Sequence, residues 1–209
     1  MTRLAVFDCD GTLVDSQANI LRAMEDCFSR QRLEPPCRHA TRRIVGLSLV
    51  EAMQALLPEA EDALHRRLAD DYKSAFQRLR AESALLDEPL YPGVVEGLAE
   101  LEARGWRLGV ATGKSDRGLN LCLAHHGIAA RFVTLQTADR HPSKPHPAML
   151  HAAMTEAGAE PHATAMIGDT SFDMEMAIAA GVRPIGVDWG YHDVDVQHAA
   201  SAVAVVTHF

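Results

Sequence analysis

The sequence predicts an α/β fold, a parallel sheet with helices on both faces and an all-helical segment inserted after its first strand. Short apolar runs rich in β-branched residues sit at Leu4–Phe7, Leu108–Ala111, Phe132–Leu135, Ala165–Ile167 and Pro184–Val187, and most are followed by a helical pattern. That alternation marks parallel strands joined through helices. Residues 16–86 carry no convincing strand, and a crossover of that length far exceeds what one strand–helix–strand unit requires. The predicted organisation is a discontinuous core, residues 1–15 and 87–209, interrupted by a helical domain at 16–86.

Each element has its own signal. In the insert, Ile20, Leu21, Met24, Cys27 and Phe28 fall on one helical face, and Leu64, Leu68, Tyr72, Phe76 and Leu79 repeat at helical spacing on another. Ser48 with Glu51 predicts a capping box for a short helix carrying Val50, Met53 and Leu57 up to Pro58. In the core, Pro92 leads into Val95, Leu98 and Leu101 with Gly105 as a stop; Ser115 precedes Leu119 and Cys122 with Gly127 as a stop.

Composition narrows the function. With 47% hydrophobic and 23% charged residues over 209 positions, the chain reads as an ordinary soluble globular protein. A net charge of −8 argues against nucleic acid, whose binding needs a basic face. No apolar run approaches the roughly 20 residues of a membrane span, and the N-terminus lacks a secretory pattern. Cys9, Cys27, Cys37 and Cys122 form no CxxC pair, which predicts reduced thiols and a cytoplasmic location. Only three lysines occur, Lys73, Lys114 and Lys144. Neither GxGxxG nor GxxxxGK[ST] is present, and His141, His146 and His151, spaced by five, are expected to be solvated or capping.

Three predicted strands end on polar residues: Asp8 with Asp10, Thr112, and Asp169. In an open parallel sheet that edge binds ligands. Gly11 permits a tight turn beside the acid pair. Each piece alone has a plain reading: Asp173 and Glu175 as acids at a helix start, Thr112 and Ser115 as a turn and N-cap, Lys144 as a loop lysine. Together they form an ordered series, VFDCDGTLVDS at 6–16, GVATGKS with Thr112, HPSKPHP with Lys144, and MIGDTSFDMEMA with Asp169 and Asp173. In this the chain resembles the haloacid dehalogenase-like hydrolase superfamily, whose first motif reads DxDGT and whose fourth reads GDTxxD.

The resemblance implies a Rossmann-like core, a helical cap at about 16–86, and a Mg2+-dependent phosphatase. By it, Asp8 is the nucleophile and Asp10 the general acid and base, and Thr112, Gly113 and Lys144 hold the phosphoryl oxygens. It also implies Mg2+ ligands from the Asp8 carboxylate, the Asp10 carbonyl and Asp169, with Asp173 close by. Crowding of four carboxylates is expected to keep Asp10, the farthest from the cation, protonated. Dehalogenases of the superfamily lack the second aspartate. Phosphonate hydrolases need a cap lysine, for which Lys73 is the sole candidate, and sugar phosphomutases carry a cation after a Gly-x-Ser motif. Here the cap reads Gly46-Leu47-Ser48-Leu49, a candidate for substrate discrimination, with Arg42 and Arg43 nearby. GVDWGYH at 186–192 resembles a stretch of phosphoglycolate phosphatase-like members. The expected partner is a small phosphorylated metabolite, and the expected state a monomer or homodimer. A phosphomutase and a non-catalytic protein that binds metal or phosphate on this fold are the alternatives.

Overall fold

In the computed structural model, which describes residues 1–209, the strands are β1 (Arg3–Phe7), β2 (Trp106–Thr112), β3 (Phe132–Thr137), β4 (Thr164–Gly168), β5 (Arg183–Val187) and β6 (Ala204–Val206). They form one six-stranded sheet in the order β3-β2-β1-β4-β5-β6, every pairing parallel. The five expected strands are all present. The sequence reading lacked β6, a three-residue edge strand whose only signal was the apolar run at 202–206.

Alternation along β1 divides the core between the two faces of the sheet. Ala5 and Phe7 pack with Val94 and Leu98 of α5 (Val94–Ala103) and with Leu119 and Leu123 of α6 (Asp116–His125). Leu4 and Val6 pack with Met149, Leu150 and Ala153 of α7 (Ala148–Ala157) and with Met176 of α8 (Ser171–Ala179). Burying each large side chain of this kind stabilises by about 1.5–3 kcal/mol. As a result β1 is buried from Leu4 to Phe7, and its carboxyl end leads directly into Asp8. The chain moves from β1 to β2 and β3 on one side and then returns to β4 on the other. The crevice created by that reversal lies at the carboxyl ends of β1, β2 and β4.

Four helices occupy the insert: α1 (Gln17–Arg30), α2 (Arg38–Ile44), α3 (Leu49–Leu56) and α4 (Asp62–Ala81). They share a core of their own, with Met24, Cys27, Phe28, Ile44, Met53 and Leu68. The capping box at Ser48 does not form: Ser48 stands at the N-cap of α3, but its side chain makes no cap bond. Its backbone N–H instead donates to Ser143 Oγ of the core at 2.8 Å, so tertiary contact overrides the local motif. The segments that enter and leave the insert run side by side, with Val14 and Leu90 bridged antiparallel. Asn19 joins them further, donating to Leu86 O and accepting from Leu86 N–H, both at 2.9 Å.

All four cysteines are thiols, and the sulfurs of Cys9 and Cys122 lie 4.0 Å apart. No helix is long and apolar enough to cross a membrane. His141 bonds Gln136 Oε1 at 2.7 Å, and His146 Nδ1 accepts from Ala148 N–H at the start of α7 at 3.2 Å, whereas His151 is exposed.

Candidate active site

Asp8 follows β1 directly and is 1% exposed. Its Oδ1 accepts from the Cys9 N–H at 2.6 Å and faces Lys144 Nζ at 3.0 Å. Its Oδ2 is buried with no hydrogen-bond partner. Asp169 follows β4, accepting from Thr12 Oγ1 at 3.0 Å and from the Tyr191 N–H at 2.8 Å. Gly11 makes this packing feasible: its φ is +82°, and a Cβ there would lie 2.2 Å from Asp169 Oδ2.

Lys144 is as buried as Asp8 and bridges it to Asp173, whose Oδ1 lies 2.6 Å from Nζ. The other Asp173 oxygen accepts from Thr170 N–H at 3.1 Å and Oγ1 at 2.7 Å, closing a capping box at the start of α8. The helix-start role and the site role of Asp173 therefore coexist. Both its oxygens are engaged, and it stands behind the lysine.

Thr112 closes β2 and is buried, its Oγ1 accepting from the Lys114 N–H at 3.2 Å. Beside it, Gly113 touches the insert: a Cβ there would lie 2.7 Å from Leu47 O and 2.9 Å from Gly46 O. The Gly46–Ser48 loop therefore sits directly on the end of β2, and the insert is docked on the core. Arg42 adds a bond to Gly190 O at 3.1 Å.

Asp10 lines the same cleft as Asp8 but has different partners. Lys114 Nζ lies 2.8 Å from its Oδ1, which also accepts from Ser16 Oγ. Asp10 thus has a cationic and a hydroxyl partner that the sequence reading did not contain. Lys114, Ser16, Thr12 and Tyr191 are the residues that sequence reasoning missed. Their signal was available, because Lys114 is one of only three lysines and Thr12 and Ser16 fall inside the first motif. All three lysines converge here, as Lys73 also lines the cleft.

Electrostatics follow from burial. Desolvation, opposed by Lys144 and reinforced by Asp173 and Asp10, pushes the Asp8 carboxyl up to about 7. Desolvation, then the Asp173 and Asp8 charges, push Asp169 well above the usual carboxylate range. Burial pulls Lys144 down, but Asp173 and Asp8 outweigh it and hold the ammonium above its ordinary pKa. Carboxylate oxygens of Asp8, Asp169 and Asp173 lie within 4.8 Å of one another. An all-oxygen donor set fits a hard divalent cation, which would relieve the repulsion that helps raise Asp8 and Asp169.

The family model of haloacid dehalogenase-like hydrolases matches residues 5–187. A protein named "Probable phosphatase IndB" from Dickeya dadantii (strain 3937) is 38% identical over 214 residues, covering 100% of this chain and 91% of that one. Phosphoglycolate phosphatase of Nitrosococcus oceani is 32% identical over 206 residues, covering 93% and 88%. The fold is that of a solved haloacid dehalogenase-like hydrolase from Bacteroides fragilis, with a TM-score of 0.90 at 22% identity, covering 100% and 98%. The chain therefore belongs to the haloacid dehalogenase-like hydrolases, and within them to the phosphatases that resemble phosphoglycolate phosphatase.

Proposed function

We propose that this phosphatase is Mg2+-dependent, hydrolysing the monoester of a small organic alcohol through an aspartyl-phosphate on Asp8. The observation that carries the reading is the orphaned Asp8 Oδ2, buried in the crevice while its other oxygen is fixed by Cys9 and Lys144. A fixed carboxylate with one free oxygen is oriented for in-line attack on phosphorus. The Asp8 and Asp169 carboxylates with the Asp10 carbonyl would hold Mg2+, and Asp173 would act through Lys144. Bound there, Mg2+ would neutralise charge between the carboxylate and the phosphate dianion.

Lys144, Thr112 Oγ1 and the Gly113 N–H would stabilise the phosphoryl oxygens as charge shifts to the leaving group. Asp10 would protonate the departing alkoxide and later take a proton from the water that hydrolyses the aspartyl-phosphate. Its pairing with Lys114 supports a proton cycle in which the lysine steadies the anionic form between the two transfers. Residues 16–86 would serve as the cap, with Gly46 and Leu47 lining the cleft where the substrate would sit and Ser48 fixing their loop to Ser143. A phosphomutase finds less support, because neither Arg42 nor Arg43 lines the cleft.

Asp8→Asn tests the reading: turnover is expected to vanish while the circular dichroism spectrum and melting remain those of a folded protein. After a brief wild-type reaction quenched in acid and reduced with borohydride, which converts an acyl phosphate to an alcohol, peptide mass analysis is expected to find the reduced side chain at Asp8. Retained activity in the variant, or a reduced side chain at no aspartate, overturns the assignment.

A further inference from the structure

Above Asp8 and Asp10, the insert and the core enclose a cleft of about 1100 Å³. Ordinary small-molecule pockets measure roughly 300–1,000 Å³ and already surround ligands many times the size of a two-carbon phospho-acid. Met24 and Leu49, Tyr72 and Phe76, and Leu86 and Leu121 give the space an apolar and aromatic stretch of wall, with polar and charged side chains on the remainder. Tyr72 and Phe76, one turn apart on α4, form a tilted aromatic pair with centroids 5.2 Å apart. Phe76 is seated against Ile20, Val45 and Tyr191.

The cations argue in the same direction. A short phospho-acid needs a second positive group close to the phosphate, but the nearby lysines are committed. Lys114 is paired with Asp10 at 2.8 Å, and Lys144 bridges Asp8 and Asp173. The remaining cations of the cleft, Lys73, Arg80 and Arg117, belong to α4 and α6, and Lys73 and Arg117 are exposed.

We propose that the physiological substrate is a monophosphate whose alcohol carries a ring of nucleoside size with an apolar face, seated against the Tyr72–Phe76 pair, and not a two- or three-carbon phospho-acid. This rests on the phosphatase reading and specifies the leaving group. Burying one phenyl-sized ring is worth about 10–100-fold in kcat/KM.

The test uses the intact protein with Mg2+ and three synthetic monoesters: ethyl phosphate, 2-phenylethyl phosphate and phosphoglycolate. The first two have similar leaving alcohols, so their ratio reports contact with the ring and not chemistry. The expected result is a kcat/KM for 2-phenylethyl phosphate at least tenfold above both others. Phe76→Ala is expected to reduce that ratio severalfold, and so is Leu86→Ala, whose side chain is exposed enough to be removed without loss of folding. Equal values, or a preference for phosphoglycolate, overturn the proposal and leave the phosphatase reading standing. No hydrolysis of any monoester, p-nitrophenyl phosphate included, overturns both.

Discussion

Asp10 and Lys114 show how one residue's chemistry depends on a partner more than a hundred positions away. An alkoxide needs a proton as it leaves, whereas a nitrophenolate does not, so acid assistance matters far more for the former. In single-turnover measurements Asp10→Asn is expected to lose about 10²–10⁴-fold on an alkyl phosphate and much less on p-nitrophenyl phosphate. Lys114→Met is expected to lose rate in the same unequal pattern but less severely, because it acts on phosphorus only through Asp10. Equal losses on both substrates would move Lys114 from the acid to the phosphate. Asp8, Asp10, Thr112, Lys144 and Asp169 were legible in the sequence because each ends a strand or stands in a recognisable motif. The pairing of Lys114 with Asp10 was not, because it depends on β1 and β2 lying side by side.

Between elements, docking of the insert on the core runs through a few polar contacts, one of them titratable. His192 Nδ1 accepts from the Ser171 N–H that opens α8, and Nε2 donates to Arg43 O on α2, each at 3.2 Å. Both bonds are satisfied by the neutral ring alone. Burial lowers the His192 pKa, more than its bond to Arg43 O and the charges of Asp173 and Asp193 raise it, and Arg43 lowers it further. An exposed imidazole titrates near about 6.5. Below that pH the unfolded chain takes up a proton that the docked histidine resists, so stability falls with acidification and is regained as pH rises. Urea midpoints between about pH 7.5 and 5.5 are expected to drop more for the wild type than for His192→Gln. Identical slopes would remove His192 from the account. The failed Ser48 capping box belongs to the same scale: periodicity located α3, but only the docked core shows why its N-terminus bonds to Ser143.

At the scale of the whole molecule, buried carboxylates of like charge are a standing strain that a divalent cation would relieve. Chelation is expected to abolish turnover and Mg2+ to restore it, while Ca2+, with its looser coordination, is expected to inhibit. A readout independent of activity is the melting temperature. Saturation to about 100 times Kd adds about 2.7 kcal/mol, several degrees for a chain of this size, and Asp169→Asn is expected to lose most of that shift. An unchanged melting point in the wild type would count against a metal at this site. The sheet was legible except for β6, whose apolar run at 202–206 precedes no helical pattern of the kind that marked most of the other strands. The pairing of Asn19 with Leu86 carries the last consequence. Because the two connections to the insert are tied at their base, the residues between Asn19 and Leu86 subtend almost no distance in the core. The chain there behaves like a loop whose ends were closed before its contents were chosen, so those contents can lengthen, shrink or be exchanged with little entropic effect on the sheet. A fold wired this way can change what it recognises without renegotiating how it reacts.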